Sequence, residues 1–198
     1  MRSLLLLAAA LLSGCPGAAP VDPVDAGVDA ARADARAADA GCLIAASLGD
    51  LGALSGDAES DAPLADASYI LLLADINGDA RPDELSLELY PVGVFAAGIS
   101  PGTFDLGSLP AETQYATCGA CVRLLADVDP GTGAERQDYM IVAGSLTLTS
   151  VVGQLAGHLD GASFVRVTIA GDSTSTPTGD CPVSLGGAAF DATITVLP

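Results

Sequence analysis

The segment Leu85-Ser86-Leu87-Glu88-Leu89-Tyr90 alternates apolar and polar residues one for one, and the device returns at Leu146-Thr147-Leu148-Thr149. It returns again near the end of the chain, where Phe190, Ala192, Ile194 and Val196 share one parity and Asp191, Thr193 and Thr195 the other. A period of two places alternate side chains on opposite faces of an extended backbone, so these segments predict half-buried strands. Cys42 to Leu48, Tyr69 to Ala74, Thr103 to Leu106, Ala120 to Val128, Gln154 to Leu159 and Phe164 to Ile169 are further strand candidates. Asp160-Gly161 predicts a hairpin between the last two. Asp57 to Ala67 reads as a polar loop, and no segment carries a long amphipathic helical pattern. Residues 42–198 are enough for one domain with its own core, and the pattern predicts an all-β fold, an antiparallel β-sandwich of seven to nine short strands.

The first residues are of another kind. Arg2, an apolar run from Leu4 to Leu12, and the small residues Ser13 and Gly14 before Cys15 read as a secretory leader over residues 1–14. The run is about half of the ~20 residues needed to cross a bilayer. Leu12-Ser13-Gly14-Cys15 resembles a bacterial lipobox. That resemblance implies cleavage between Gly14 and Cys15 and a diacylglyceryl group on the Cys15 sulfur, with palmitate-like chains holding the protein to a membrane. Each buried methylene contributes about 0.8 kcal/mol, and more than one chain is needed for stable anchoring. Pro16 stands where related lipoproteins kept at the inner membrane carry aspartate, so the resemblance points to the outer membrane. Residues 15–41, almost all Ala, Asp, Pro, Gly and Val after Cys15, cannot bury enough apolar surface to offset their conformational entropy. They read as a flexible acidic tether with a reach of roughly 30 Å.

Twenty-five acidic residues against seven basic ones, none of them lysine, give a formal net charge of −18. Loss of Arg2 with the leader makes it one more negative. Such a chain repels phosphate backbones and anionic headgroups, which argues against nucleic-acid binding and electrostatic membrane docking. Tryptophan is absent and aromatics are few, which removes the stacking platforms of many sugar sites. Besides Cys15 there are four cysteines, Cys42, Cys118, Cys121 and Cys181, and an even number in an exported chain predicts two disulfides. Cys118 with Cys121 and Cys42 with Cys181 is the favoured pairing, and the two other pairings stay open. In the chain-entropy model the long bridge contributes roughly 4 to 5 kcal/mol.

Across the domain, the stretches LSLELY, SPGTF, TQYATCGACVRLLADVD and AGSLTLTSV resemble those of uncharacterised envelope lipoproteins of high-GC Gram-negative bacteria. This resemblance implies export and the fold class, and no mechanism.

Candidate chemistry is sparse. The run from Asp75 to Asp83, DINGDARPD, resembles the calcium loops of integrin-type and dockerin-type repeats. On that resemblance Asp75, Asn77, Asp79 and Asp83 fill positions 1, 3, 5 and 9, with the Arg81 carbonyl at position 7. Ala80 stands where a glycine permits the sharp turn, and Ser86 where an EF-hand has its bidentate glutamate. The same string reads as a hairpin turn centred on Asn77-Gly78. Cys118-Gly119-Ala120-Cys121 has redox spacing, but the residues after Cys121 read as a strand, whereas a reactive thiol needs a helix N-terminus. Gly98-Ile99-Ser100-Pro101-Gly102 matches a nucleophile elbow only as a string, because Pro101 has no N–H to offer an oxyanion. His158, the one histidine, reads as a solvated strand residue on the face opposite Leu155 and Leu159. The resulting expectation is a non-catalytic binding or structural module with no certain cofactor, taking an envelope protein or a glycan as partner. The alternative is a surface polysaccharide hydrolase built on a carboxylate pair.

Overall fold

The alternating segments form ten strands of one hydrogen-bonded sheet: β1 (Ser47–Leu54), β2 (Gly56–Ser60), β3 (Ile70–Asp75), β4 (Glu84–Leu89), β5 (Gly102–Asp105), β6 (Ala120–Ala126), β7 (Gln137–Ser150), β8 (Gln154–Ile169), β9 (Ser175–Pro177) and β10 (Val183–Val196). The computed structural model describes residues 41–198. The leader, Cys15 and the tether up to Ala40 lie outside the described residues. Among the described residues the helical turns are short 3-10 segments at Gly93–Phe95, Leu106–Ser108 and Pro110–Thr113. The all-β class expected from the alternation is therefore what the domain forms. Its sheet is mixed, however, because β1 and β2 both run parallel to β10.

Three strands are long, and each has one edge shared by two partners placed end to end. One edge of β7 takes β6 and then β5, one edge of β8 takes β10 and then β9, and one edge of β10 takes β1 and then β2. The ladders run from β2 through β3, β4, β6, β7 and β8 to β10, and β10 returns to β2. That circuit closes the main path of the sheet on itself, so that among the described residues the short strands β1, β5 and β9, each paired on one side, carry its edges. Its interior is filled by the inward parity: Leu85, Leu87 and Leu89 of β4, Val122 and Leu124 of β6, and Tyr139 of β7 are all buried.

Several expectations shift with this topology. Gln154 to Ile169 is one strand, and Asp160-Gly161 does not reverse the chain. Ala143 pairs with Ser163 and Ser145 with Asp160, so Gly161 and Ala162 together face Gly144. Gly161 at φ +55° and Gly144 at φ +138° supply the backbone a bulge requires. A Cβ on Gly144 would stand 2.9 Å from the Ala162 Cα. The reversal lies instead at Val151 to Gly153. Residues Asp57 to Ser60, read as loop, belong to β2, whose inward positions Ala58 and Ser60 are too small and polar to look like a core face. Cys42 to Ala46 precedes the first strand rather than forming it.

Cys42 and Cys181 are joined, with Cα atoms 5.5 Å apart, just before two strands that run side by side, and the Ser184 N–H donates to the Ala46 carbonyl at 2.9 Å. Cys118 and Cys121 are joined at the start of β6, with Cα atoms 5.2 Å apart.

Candidate functional site

On the outer face of β4, β6 and β7 the sheet buries charge. The register sets Ser86 beside Arg123 and Arg123 beside Met140 in one row, and Leu125, Asp138 and Val167 in the next. Alternation alone would send Glu88, Arg123 and Asp138 to solvent. The segment between Tyr90 and Cys118 folds back over them instead, and an outer cluster of the Cys118–Cys121 pair, Met140 and Val167 forms a collar.

Arg123 lies between the two carboxylates. Its Nε and Nη2 donate to Glu88 Oε1 at 3.1 and 2.5 Å, and its Nη1 donates to Asp138 Oδ2 at 2.7 Å. The other Glu88 oxygen accepts from the Tyr90 and Tyr115 hydroxyls at 2.6 and 2.8 Å. The guanidinium carbon stands 4.6 Å from the centre of the Tyr115 ring, a cation–π arrangement. Side-chain exposures of 13% for Arg123, 7% for Glu88 and 9% for Asp138 make this a desolvated triad with one net negative charge.

The two carboxyls are pushed opposite ways. Burial alone would raise Glu88, but Arg123 and the two phenols outweigh it and hold the group below its ordinary range. Burial raises Asp138, and Arg123 offsets only part of that. Asp138 Oδ1 is also buried with no hydrogen-bond partner among the described residues. Burial first, then the hydrogen bond and charge of Glu88, raises both phenols above the usual tyrosine range, so neither ionises near neutrality. Both Glu88 oxygens are filled and one Asp138 oxygen is tied to the same guanidinium. The arrangement suits cross-bracing of three strands better than proton exchange with a bound substrate.

A third buried carboxylate works without any cation. Glu112, 1% exposed, accepts from the Val94 N–H at 3.0 Å with Oε1, and from the Gly119 and Ala120 N–H groups at 2.9 and 2.7 Å with Oε2. It thereby pins the covering segment to the start of β6.

The loop from Asp75 to Asp83 is the β3–β4 hairpin connection. Asp75 Oδ1 accepts from the N–H groups of Asn77 and Gly78 at 2.9 and 2.7 Å, and Asn77 Oδ1 from those of Asp79 and Asp83 at 3.2 and 3.1 Å. Asp83 Oδ1 accepts from the Asp127 N–H at 3.0 Å. Gly78 takes φ +67°, as the turn reading requires. Among the described residues no three His, Cys, Asp or Glu side chains converge as a metal cage. His158 and Asp160 pair at 3.1 Å on the surface, with His158 45% exposed. Ser100 is exposed in a turn.

Nothing in the sequence pattern singles out Glu88, Asp138 or Glu112. Glu88 reads there as the polar half of an amphipathic strand. Arg123, between Val122 and Leu124 in an arginine-poor chain, is the residue whose position carries a usable signal.

Two surface clefts accompany the triad. One of about 540 Å³ lies where β7 begins and β8 ends, lined by Glu135, Gln137, Arg166, Thr168 and Thr178 among others. The other, about 310 Å³, has Leu71 and Leu73 as its floor and Asp57, Glu59, Asp75 and Glu84 around it. Neither holds Glu88 and Asp138 together. No protein-family model, no curated protein and no solved structure matches this chain.

Proposed function

We propose that this is a lipid-anchored envelope lipoprotein, held at the outer membrane through Cys15, whose β domain binds a partner or braces the envelope and does not catalyse. The observation that carries the non-catalytic reading is that Arg123 ties both carboxylates of the triad, Glu88 and Asp138, so that these two are not free to work as an acid and base pair. The location rests on Leu12-Ser13-Gly14-Cys15. Joined Cys42–Cys181 and Cys118–Cys121 pairs support it, because such bridges persist in oxidising compartments. Mass spectrometry of the protein from its native envelope is expected to find residue 15 at the amino terminus bearing fatty-acyl chains, and Cys15→Ser to release the protein from membranes. A free, unacylated terminus would end this reading.

The hydrolase alternative draws on Asp138, whose raised carboxyl and unused Oδ1 are what a general acid needs. Release of reducing ends from envelope polysaccharide, abolished by Asp138→Asn, is the result that would favour it.

A calcium ion at the β3–β4 loop is a further reading. It is supported by Asp83, whose carboxyl is raised by burial and then by the charges of Asp127 and Asp79, repulsion that a cation would relieve. Millimolar calcium should then raise the melting temperature, and Asp79→Ala should abolish the rise. An unchanged melting temperature removes calcium from the account.

A further inference from the structure

Of the four arginines among the described residues, three face carboxylates: Arg81 meets Asp129 at 2.8 Å, Arg136 meets Asp127 at 2.7 Å, and Arg123 meets Glu88 and Asp138. Arg166 is the exception. Its Nε donates to the Thr178 carbonyl and its Nη1 to the Gly41 carbonyl, both at 2.8 Å. Two neutral acceptors fix the plane of a guanidinium without cancelling its charge. The remaining N–H groups have no partner among the described residues, and none of them is a buried, unsatisfied donor. In so acidic a chain, a fixed cation that faces no carboxylate among the described residues is the exception that needs a reason.

Arg166 lines the open cleft of about 540 Å³. The charges around it are otherwise committed: Asp138 is tied to Arg123, and Arg136, which also borders the cleft, is tied to Asp127. What remains free is the exposed Glu135 carboxylate and the hydroxyls of Thr168 and Thr178, none of which makes a side-chain hydrogen bond among the described residues. One oriented guanidinium beside one acceptor and two hydroxyls matches a ligand with one carboxylate and several hydroxyl groups. Neutral sugars lack the charge and find no aromatic platform here. Polyanions meet the repulsion of the whole chain.

We propose that this cleft binds a sugar acid, its carboxylate on Arg166 and its hydroxyls on Glu135, Thr168 and Thr178. The proposal deepens the binding reading given above and is independent of the anchor: an unacylated terminus would remove the envelope location and leave this cleft untouched.

The test titrates the ¹⁵N-labelled full-length protein with galacturonate, and in parallel with galactose and with acetate, following the Arg166 Nε–H and the Thr168 and Thr178 amides. Galacturonate is expected to move these resonances saturably, galactose to leave them in place, and acetate to bind on the order of tenfold more weakly. Arg166→Gln should abolish the response. Because that change also removes two bonds to carbonyls, Thr168→Val serves as a second variant at an exposed position, expected to weaken galacturonate several-fold with the melting temperature unchanged. No movement with galacturonate, equal movement with galactose or acetate, or a response that survives both substitutions would overturn the proposal.

Discussion

Glu112 shows how a single side chain can replace secondary structure. Three N–H groups from two segments converge on its carboxylate, and each donor would otherwise be buried and unpaired. Glu112→Ala is expected to cost about 3 kcal/mol or more, since each unsatisfied buried donor costs roughly 1–3 kcal/mol. Glu112→Gln is no rescue: an amide must turn its NH2 toward a donor, because both carboxylate oxygens face N–H groups. Urea unfolding of the two variants, with similar losses of midpoint, checks this. The Asp138 and Glu88 carboxyls set a pH dependence with two limbs. The folded Asp138 holds its proton more tightly than the unfolded chain does, so its contribution is full below the ordinary aspartate range and is lost as pH rises through its folded value. Glu88 behaves in the opposite sense, contributing above the ordinary glutamate range and losing that contribution as pH falls through its depressed folded value. Acidification from neutrality should therefore first raise the melting temperature and then lower it. Asp138→Asn should remove part of the rise, while Asp83 and Glu84, also raised by burial, retain the rest. Glu88→Gln should cost about 3–5 kcal/mol near neutrality, because it strips a buried guanidinium of one charged partner.

At the scale of elements, the two disulfides do different work. The Cys42–Cys181 bridge spans 139 positions and Cys118–Cys121 spans three. In the chain-entropy model the first is worth about 5 kcal/mol and the second about 2 kcal/mol. Replacing both cysteines of a pair by alanine should lower the denaturation midpoint much more for the long bridge. Strands with clean alternation are readable in the sequence: β6 begins where the pattern places it, and β3, β4 and β5 are displaced by about one residue. The longest strands are not, because a bulge breaks the period. Asp160-Gly161 carries the positive φ that a hairpin and a bulge both need, and only the pairing of Gly144 across the ladder decides between them. β2 is hidden for a different reason, since its inward residues Ala58 and Ser60 give no apolar signal. The triad is hidden by the segment that covers it. A polar residue at an outward position is exposed only if nothing folds over it, and covering is a property of tertiary structure.

The whole domain depends on the return of β10 to β2. Ile194, Thr195 and Val196 pair with Ala58, Glu59 and Ser60, and the Leu197 N–H reaches the Ser60 carbonyl at 2.8 Å. A short ladder that completes a circuit belongs to the cooperative unit and not to its fringe. In hydrogen exchange, the amides that make this ladder should exchange near the global unfolding rate despite lying near a terminus. Fast exchange there would mean that the circuit opens locally. The −18 net charge enters at the same scale: it sets solubility and the choice of partners, and says nothing of strand order.

The bridge ahead of β1 has a mechanical consequence. Tension arriving along the backbone at Gly41 passes at Cys42 through a covalent bond to Cys181, and from there directly into β10. Everything from residue 43 to residue 180 is bypassed, so a pull between the two ends of the domain bears on the segment from Cys181 through β10 and on nothing before it. β10 in turn is gripped along its length by β8 on one side and by β1 and β2 on the other, so its ladders would have to slip together rather than open one bond at a time. A body tied in this way behaves as a nearly inextensible link.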